Sequence, residues 1–133
     1  MRGKASVLVV DDELEMCLTL SDILEARGYR VTCAQDGFQA IARARETPFD
    51  VVLMDVRMPE MDGVETFRRL KEISPRSRVV MMTAYAVEDL IADALREGAY
   101  GVMYKPLDVD RLIELVGAAK RHARRLVRDR GRG

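Results

Sequence analysis

Five side chains in this sequence could do chemistry together: Asp11, Asp12, Asp55, Thr83 and Lys105. Each stands just behind a short apolar run. Asp11-Asp12-Glu13 follows Val7-Leu8-Val9-Val10, Asp55 follows Val51-Val52-Leu53-Met54, Thr83 follows Val79-Val80-Met81-Met82, and Lys105-Pro106 follows Met103-Tyr104. If those runs are parallel strands, every one of these residues arrives at the same rim. Two carboxylates about 4 Å apart repel by about 4 kcal/mol at an effective dielectric near 20. A protein answers by keeping a proton or by binding a cation. Three carboxylate sources with room left for water suit Mg²⁺, whereas calcium asks for more oxygens and the EF-hand spacing is absent. An aspartate carboxylate is also a competent nucleophile toward phosphorus. Phosphoryl transfer needs positioning and charge neutralisation above all. Lys105 brings a compact positive charge on a long stem, and the Thr83 hydroxyl can donate to a phosphoryl oxygen.

Positioning these residues requires a sheet. Short apolar runs alternate with helical patterns, the signature of a parallel sheet wrapped by helices. The expected strands are Ser6–Val10, Arg30–Ala34, Phe49–Met54, Arg78–Met82 and Tyr100–Tyr104. Three are nearly continuous Val, Leu or Met, as strands buried on both faces require. The second carries Arg30 and Thr32, with Gln35 behind it, and suits an edge. Helices are expected over about Glu13–Arg27, with Leu14, Cys17, Leu18 and Leu24 on one face and Gly28 as its stop, and over Phe38–Glu46. A third follows Asp62-Gly63 with Val64, Phe67, Leu70 and Ile73 and ends before Pro75, and a fourth spans Val87–Glu97 and closes at Gly98. The fifth opens at Asp108 as N-cap, with Val109, Leu112, Ile113, Val116 and Ala119 on one stripe. The fold class is α/β, a (βα)5 doubly wound five-stranded parallel sheet of flavodoxin-like topology. The strand order 2-1-3-4-5 is expected by fold analogy, and ligands in such sheets bind beyond the carboxyl ends of the strands.

The 133 residues allow one domain and leave no room for two ordinary ones. No apolar run approaches the roughly 18 residues of a membrane span, and no signal-peptide stretch follows Met1, so a cytoplasmic location is expected. Cys17 and Cys33 sit in different elements without Cys-x-x-Cys spacing and read as small buried apolar residues. The single His122 makes neither a zinc site nor a Ser-His pair. A net charge of zero hides an asymmetry. Residues 1–119 hold 15 Lys/Arg against 21 Asp/Glu, and residues 120–133 hold 7 against 1, so an acidic body carries a basic tail. We therefore divide the chain into 1–119 and a basic helical extension over 120–133, where apolar spacing continues through Ala123, Leu126 and Val127 among Arg121, Arg124, Arg125 and Arg128. Basic residues there complement the helix dipole. A linker to an output domain or a dimer-forming extension are the sharper readings. Nucleic-acid binding is not expected, because no aromatics or recognition motif accompany the arginines.

In this order the residues resemble the receiver domain of bacterial two-component response regulators, the CheY-like superfamily. The matching segments are Val7-Leu8-Val9-Val10-Asp11-Asp12-Glu13, Leu53-Met54-Asp55-Val56-Arg57-Met58-Pro59-Glu60-Met61-Asp62-Gly63, Met82-Thr83-Ala84 and Tyr104-Lys105-Pro106. The resemblance covers about Ser6 to Gly117, and its motifs are specific in combination. It implies that Asp55 takes a phosphoryl group from a phosphohistidine on a sensor histidine kinase or histidine phosphotransfer protein. It also implies that Mg²⁺ is bound by Asp12, Asp55 and the Arg57 main-chain carbonyl, with Asp11 acting directly or through water. Thr83 and Lys105 would contact the phosphoryl oxygens, and Lys105–Pro106 would be cis. Phosphorylation would switch the surface of the fourth helix, fifth strand and fifth helix for a partner, a homodimer included. Such a domain is a phosphoacceptor, not a turnover enzyme.

One position departs from the family pattern. Receivers often carry Tyr or Phe three residues before the lysine, and here Val102 stands there, with Tyr104 expected on the opposite face of the strand. Movement of Thr83 is then expected to re-aim the loop and the fourth helix without an inward-swinging ring. Arg57 and Tyr85, two residues beyond Asp55 and Thr83, would flank the path of attacking water and slow self-dephosphorylation. Three rival readings fit the sequence less well. A haloacid-dehalogenase-like phosphatase would place its nucleophile after the first strand, an FMN binder would need a phosphate loop where three acids stand, and a receiver-like module would never be phosphorylated.

Overall fold

The computed structural model describes residues 3–58, 60–84 and 88–132, and for 126–132 the backbone alone. Pro59, Tyr85 and Val87 lie outside the described residues, as do the side chains of Leu126, Val127 and Arg128.

Five strands alternate with five helices: β1 (Ser6–Val10), α1 (Leu14–Glu25), β2 (Arg30–Ala34), α2 (Gly37–Glu46), β3 (Val51–Asp55), α3 (Gly63–Ile73), β4 (Arg78–Thr83), α4 (Glu88–Arg96), β5 (Gly101–Tyr104) and α5 (Val109–Arg132). All neighbours pair in parallel, in the order β2-β1-β3-β4-β5. Sequence reading anticipated both the elements and the order. Polar β2 lies at an edge, with Arg30 exposed and only Ala34 buried. The third strand begins at Val51, later than expected, and the carboxylate of Asp50 just before it accepts the Ser6 N–H at 2.9 Å. It also ends one residue later, so that Asp55 is itself paired, with Met82.

Strand alternation builds two cores. Leu8, Val10, Val52, Met54, Val79 and Met81 face one side with Phe67 and Leu70 of α3 and Ile91 of α4. Val7, Val9, Val51, Leu53, Val80 and Met82 face the other, with Leu20 and Leu24 of α1 and Leu112 and Val116 of α5. Strands apolar at consecutive positions are what burial on both faces demands.

Two helix faces differ from expectation. Leu14 and Leu18 are 53% and 54% exposed, and α1 instead buries Cys17, Leu20 and Leu24, which are spaced three and four apart. The leucines are four residues apart and form their own exposed ridge. Val109 is 44% exposed in the first turn of α5, so the buried stripe starts a turn later and runs through Leu112, Val116, Ala119 and Ala123. Helix α5 thus crosses the expected boundary at 119 without a break.

The helix stops are chemical. Gly28 takes a φ of 90° while its N–H donates to Glu25 O and the Tyr29 N–H to Leu24 O, closing the end of α1. Asp62 caps α3, accepting the Glu65 N–H at 2.9 Å. Gly63 then packs against the end of β3 so closely that an added Cβ would sit 2.5 Å from Asp55 O and 2.8 Å from Val56 Cα. Only glycine lets α3 start there.

Candidate functional site

The β1 and β3 strands lie side by side, so their carboxyl ends deliver Asp11, Asp12 and Asp55 to one place. One carboxylate oxygen from each lies within 4.8 Å of the others. Asp11 is wholly buried, Asp12 is exposed, and Asp55 is nearly buried. The backbone helps to aim them. Glu13 N–H donates to Asp11 Oδ1 at 3.0 Å, and Arg57 N–H donates to Asp55 Oδ1 at 3.1 Å.

Lys105 comes from the end of β5 and reaches across the rim. Its Nζ donates to Asp11 Oδ2 at 2.7 Å and to Asp55 Oδ2 at 3.1 Å. The Lys105 N–H donates to Thr83 O at 2.8 Å, which ties the β4 and β5 ends together. The Lys105–Pro106 bond is cis, as expected. Thr83 ends β4 fully buried, one strand away from Asp55. A cavity of about 360 Å³ opens here, lined by Asp12, Glu13, Asp55, Arg57, Met58, Ala84 and Lys105.

The electrostatics are those of acids crowded around the Lys105 ammonium. Burial pushes the Asp55 carboxyl above its ordinary value, against the opposing pull of the Arg57 N–H and of Lys105. Burial also works against the charge on Lys105, but its hydrogen bonds to Asp11 and Asp55 outweigh that and raise its pKa. Three carboxylates and one ammonium leave a local excess of negative charge. That excess, made of hard oxygen donors at the mouth of an open cavity, fits a hard divalent cation such as Mg²⁺.

Comparison with known proteins decides the family. The response regulator receiver domain family matches residues 7–117. This chain belongs to that family. The receiver is 43% identical over 124 residues to the transcriptional regulatory protein ZraR of Salmonella typhimurium, covering 93% of this chain and 28% of ZraR. It is 35% identical over 111 residues to the chemotaxis protein CheY of Bacillus subtilis, covering 83% of this chain and 92% of CheY. A response regulator protein from Burkholderia pseudomallei, solved with a phosphorylated aspartic acid, calcium ion and citrate, superposes with a TM-score of 0.80 at 26% identity, covering 85% of this chain and 66% of that one. The receiver therefore spans under a third of the length of the ZraR relatives it matches.

Of the expected site residues, Asp11, Asp12, Asp55 and Lys105 come together, and Arg57 and Thr83 lie at the same rim. Met58, Glu13 and Ala84, to which the sequence assigned no role in the site, also line the cavity. Their place directly beside the strand-end motifs was the available signal. The face of Tyr104 needs correction. Met103 packs into the core shared with α1 and α5, whereas Val102 packs against the opposite core. Alternation therefore returns Tyr104 to the face of Val102, not the opposite one. At the end of the strand it is 58% exposed.

Proposed function

We propose that Asp55 accepts a phosphoryl group from the phosphohistidine of a sensor histidine kinase or histidine phosphotransfer protein in the cytoplasm. The observation that carries this reading is the double hold on one carboxylate. Arg57 N–H fixes Asp55 Oδ1 and the Lys105 ammonium lies on Oδ2, at the edge of a cavity open to a partner. An in-line attack makes an Asp55 O–P bond as the histidine N–P bond breaks, and the carboxylate needs no deprotonation once it is ionised. Lys105 then offsets charge on the phosphoryl oxygens, and the Thr83 hydroxyl donates to one of them.

Asp11, Asp12, Asp55 and the Arg57 carbonyl would hold Mg²⁺. When bound, the ion would supply positive charge that offsets the charge of the transferring phosphoryl group. A response regulator of the same fold, solved with a phosphorylated aspartic acid and a calcium ion, supports joining the modification to a divalent ion. The chain acts once per phosphoryl group received and is not a turnover enzyme.

The proposed output is the surface of α4, β5 and α5. With Val102 in place of a ring, movement of Thr83 re-aims the loop that follows β4. The surface then meets a partner, a second copy of the chain included. Residues 1–119 form the receiver unit and 120–133 a basic helical extension, consistent with a family match that stops at 117. Intact mass after treatment with acetyl phosphate and Mg²⁺ tests the acceptor. Wild type should gain one phosphoryl group and Asp55→Asn none; equal labelling of the two would end the reading.

A further inference from the structure

Cys17 and Cys33 are far apart in sequence terms and meet in space. Cys17 lies fully buried on α1, facing the sheet, and Cys33 is half-buried on the edge strand β2. Cys17 Sγ lies 3.8 Å from the carbonyl oxygen of Ala34, the residue next to Cys33. Cys33 Sγ also lies 3.6 Å from Cys17 O, so β2 approaches the helix backbone at the cysteine itself.

Ser21 prepares Cys33. Its Oγ donates to Cys17 O at 2.8 Å and lies 3.2 Å from Cys33 Sγ. A hydroxyl has one hydrogen, and it is already committed to Cys17 O. The Cys33 thiol then has Ser21 Oγ and Cys17 O within reach as acceptors for its one hydrogen, and its sulfur lone pairs stay open. On the far side, Cys17 Sγ contacts Asp11 O at 3.5 Å. The pair thus sits directly behind the strand end that carries the acidic residues.

We propose that Cys17 and Cys33 form a reversible intrachain disulfide under peroxide, a modification site joining α1 to β2. The more exposed Cys33 reacts first. Its sulfur attacks the peroxide, an S–O bond forms as the O–O bond breaks, and water leaves, giving a sulfenic acid oxidised by two electrons. Cys17 sulfur then displaces hydroxide from Cys33 sulfur. The S–S bond forms, the S–O bond breaks, and the Cys17 thiol proton leaves with the hydroxide as water. Two thiols and one peroxide thus give one disulfide and two waters. The bridge replaces the Cys17 thiol contact with Asp11 O, so the oxidation state of α1 and β2 is felt at the first acidic residue. This inference does not depend on Asp55 being a phosphoacceptor.

The test uses the full chain treated with hydrogen peroxide, then unfolded and alkylated. Wild type should lose both alkylatable thiols, remain monomeric, and show a mass lower by two hydrogens, all restored by dithiothreitol. The rate should not change on dilution of the protein. Cys33→Ser should keep its one thiol and form no bridge within the chain. Two thiols still alkylated in oxidised wild type, or bridges found only between chains, or oxygen added at Cys33 with Cys17 still free, would each overturn the proposal.

Discussion

Lys105 Nζ lies 3.1 Å from Asp55 Oδ2, though fifty positions of sequence separate the two residues. The same ammonium is 2.7 Å from Asp11 Oδ2. One cation therefore serves two carboxylates, of which Asp11 has no solvent to turn to. A third acid, Asp12, offers a carboxylate oxygen within 4.8 Å of theirs. The site is built with more negative charge than the protein itself neutralises.

Lys105→Met should therefore cost stability as well as activity. Removing one partner of a buried ion pair costs about 3–5 kcal/mol, and the open cavity beside Asp55 brings the expected loss nearer about 2 kcal/mol. Phosphoryl acceptance from acetyl phosphate should fall at least about tenfold, because a donor aimed at developing charge is lost. Urea denaturation and a labelling time course read the two effects separately. Unchanged stability would mean that Lys105 is not the counter-ion of Asp11.

The pH dependence of stability has a definite sign. Burial raises the Asp55 carboxyl above its ordinary 3.8. A carboxyl raised in the folded state stabilises the fold while protonated. That contribution is complete below the unfolded value and is lost as pH rises through the folded one. Asp55→Asn cannot suffer that loss. In EDTA at neutral pH the variant should be the more stable by about 1 kcal/mol, a size common for relief of a local conflict. The gap should close on titration down past 3.8. A less stable variant at neutral pH would contradict the burial argument.

Magnesium should relieve the same crowding. Adding it at about a hundred times its dissociation constant should stabilise wild type by about 2.7 kcal/mol through mass action. Asp12→Asn should weaken binding by about tenfold or more, since an exposed carboxylate donor is replaced by a neutral amide. Calorimetric titration and the Mg²⁺ dependence of Tm both report it. Equal affinity in the two proteins would remove Asp12 from the metal site.

Gly63→Ala sets propensity against sterics. Within a helix, alanine is favoured over glycine by about 1 kcal/mol. At this position the new Cβ meets Asp55 O at 2.5 Å and Val56 Cα at 2.8 Å, backbone atoms that cannot rotate away. Overpacking of this kind costs about 1–3 kcal/mol, so the net effect should be destabilising. Thermal melting decides the sign, and a rise in Tm would show that α3 shifts freely against β3.

The phosphorylated chain should lose its phosphoryl group over minutes, not seconds. Arg57 lines the cavity beside the acceptor, where its bulk would narrow the approach of water. Arg57→Ala should shorten the lifetime of the phosphorylated form, followed by intact mass after removal of the donor. A wild-type lifetime of a few seconds, unmoved by the substitution, would dismiss this role.

Sequence alone determined the elements, the edge position of β2, and the set of polar residues that end the strands. Runs such as Val7-Leu8-Val9-Val10 announce strands covered on both faces, and the residue that breaks an apolar run marks its end. Because all strands of a parallel sheet point one way, those breaks had to share a rim. Other matters were not written in any local pattern. That Lys105 spans Asp11 and Asp55, that Leu14 and Leu18 face outward while Leu20 faces inward, and that the Cys33 sulfur lies against the Cys17 backbone all depend on how helices seat on the sheet. Side-chain spacing fixes the period of a helix but not its rotation about its own axis. That rotation, and the distances it sets, belong to packing between elements distant in sequence, which only the tertiary structure decides.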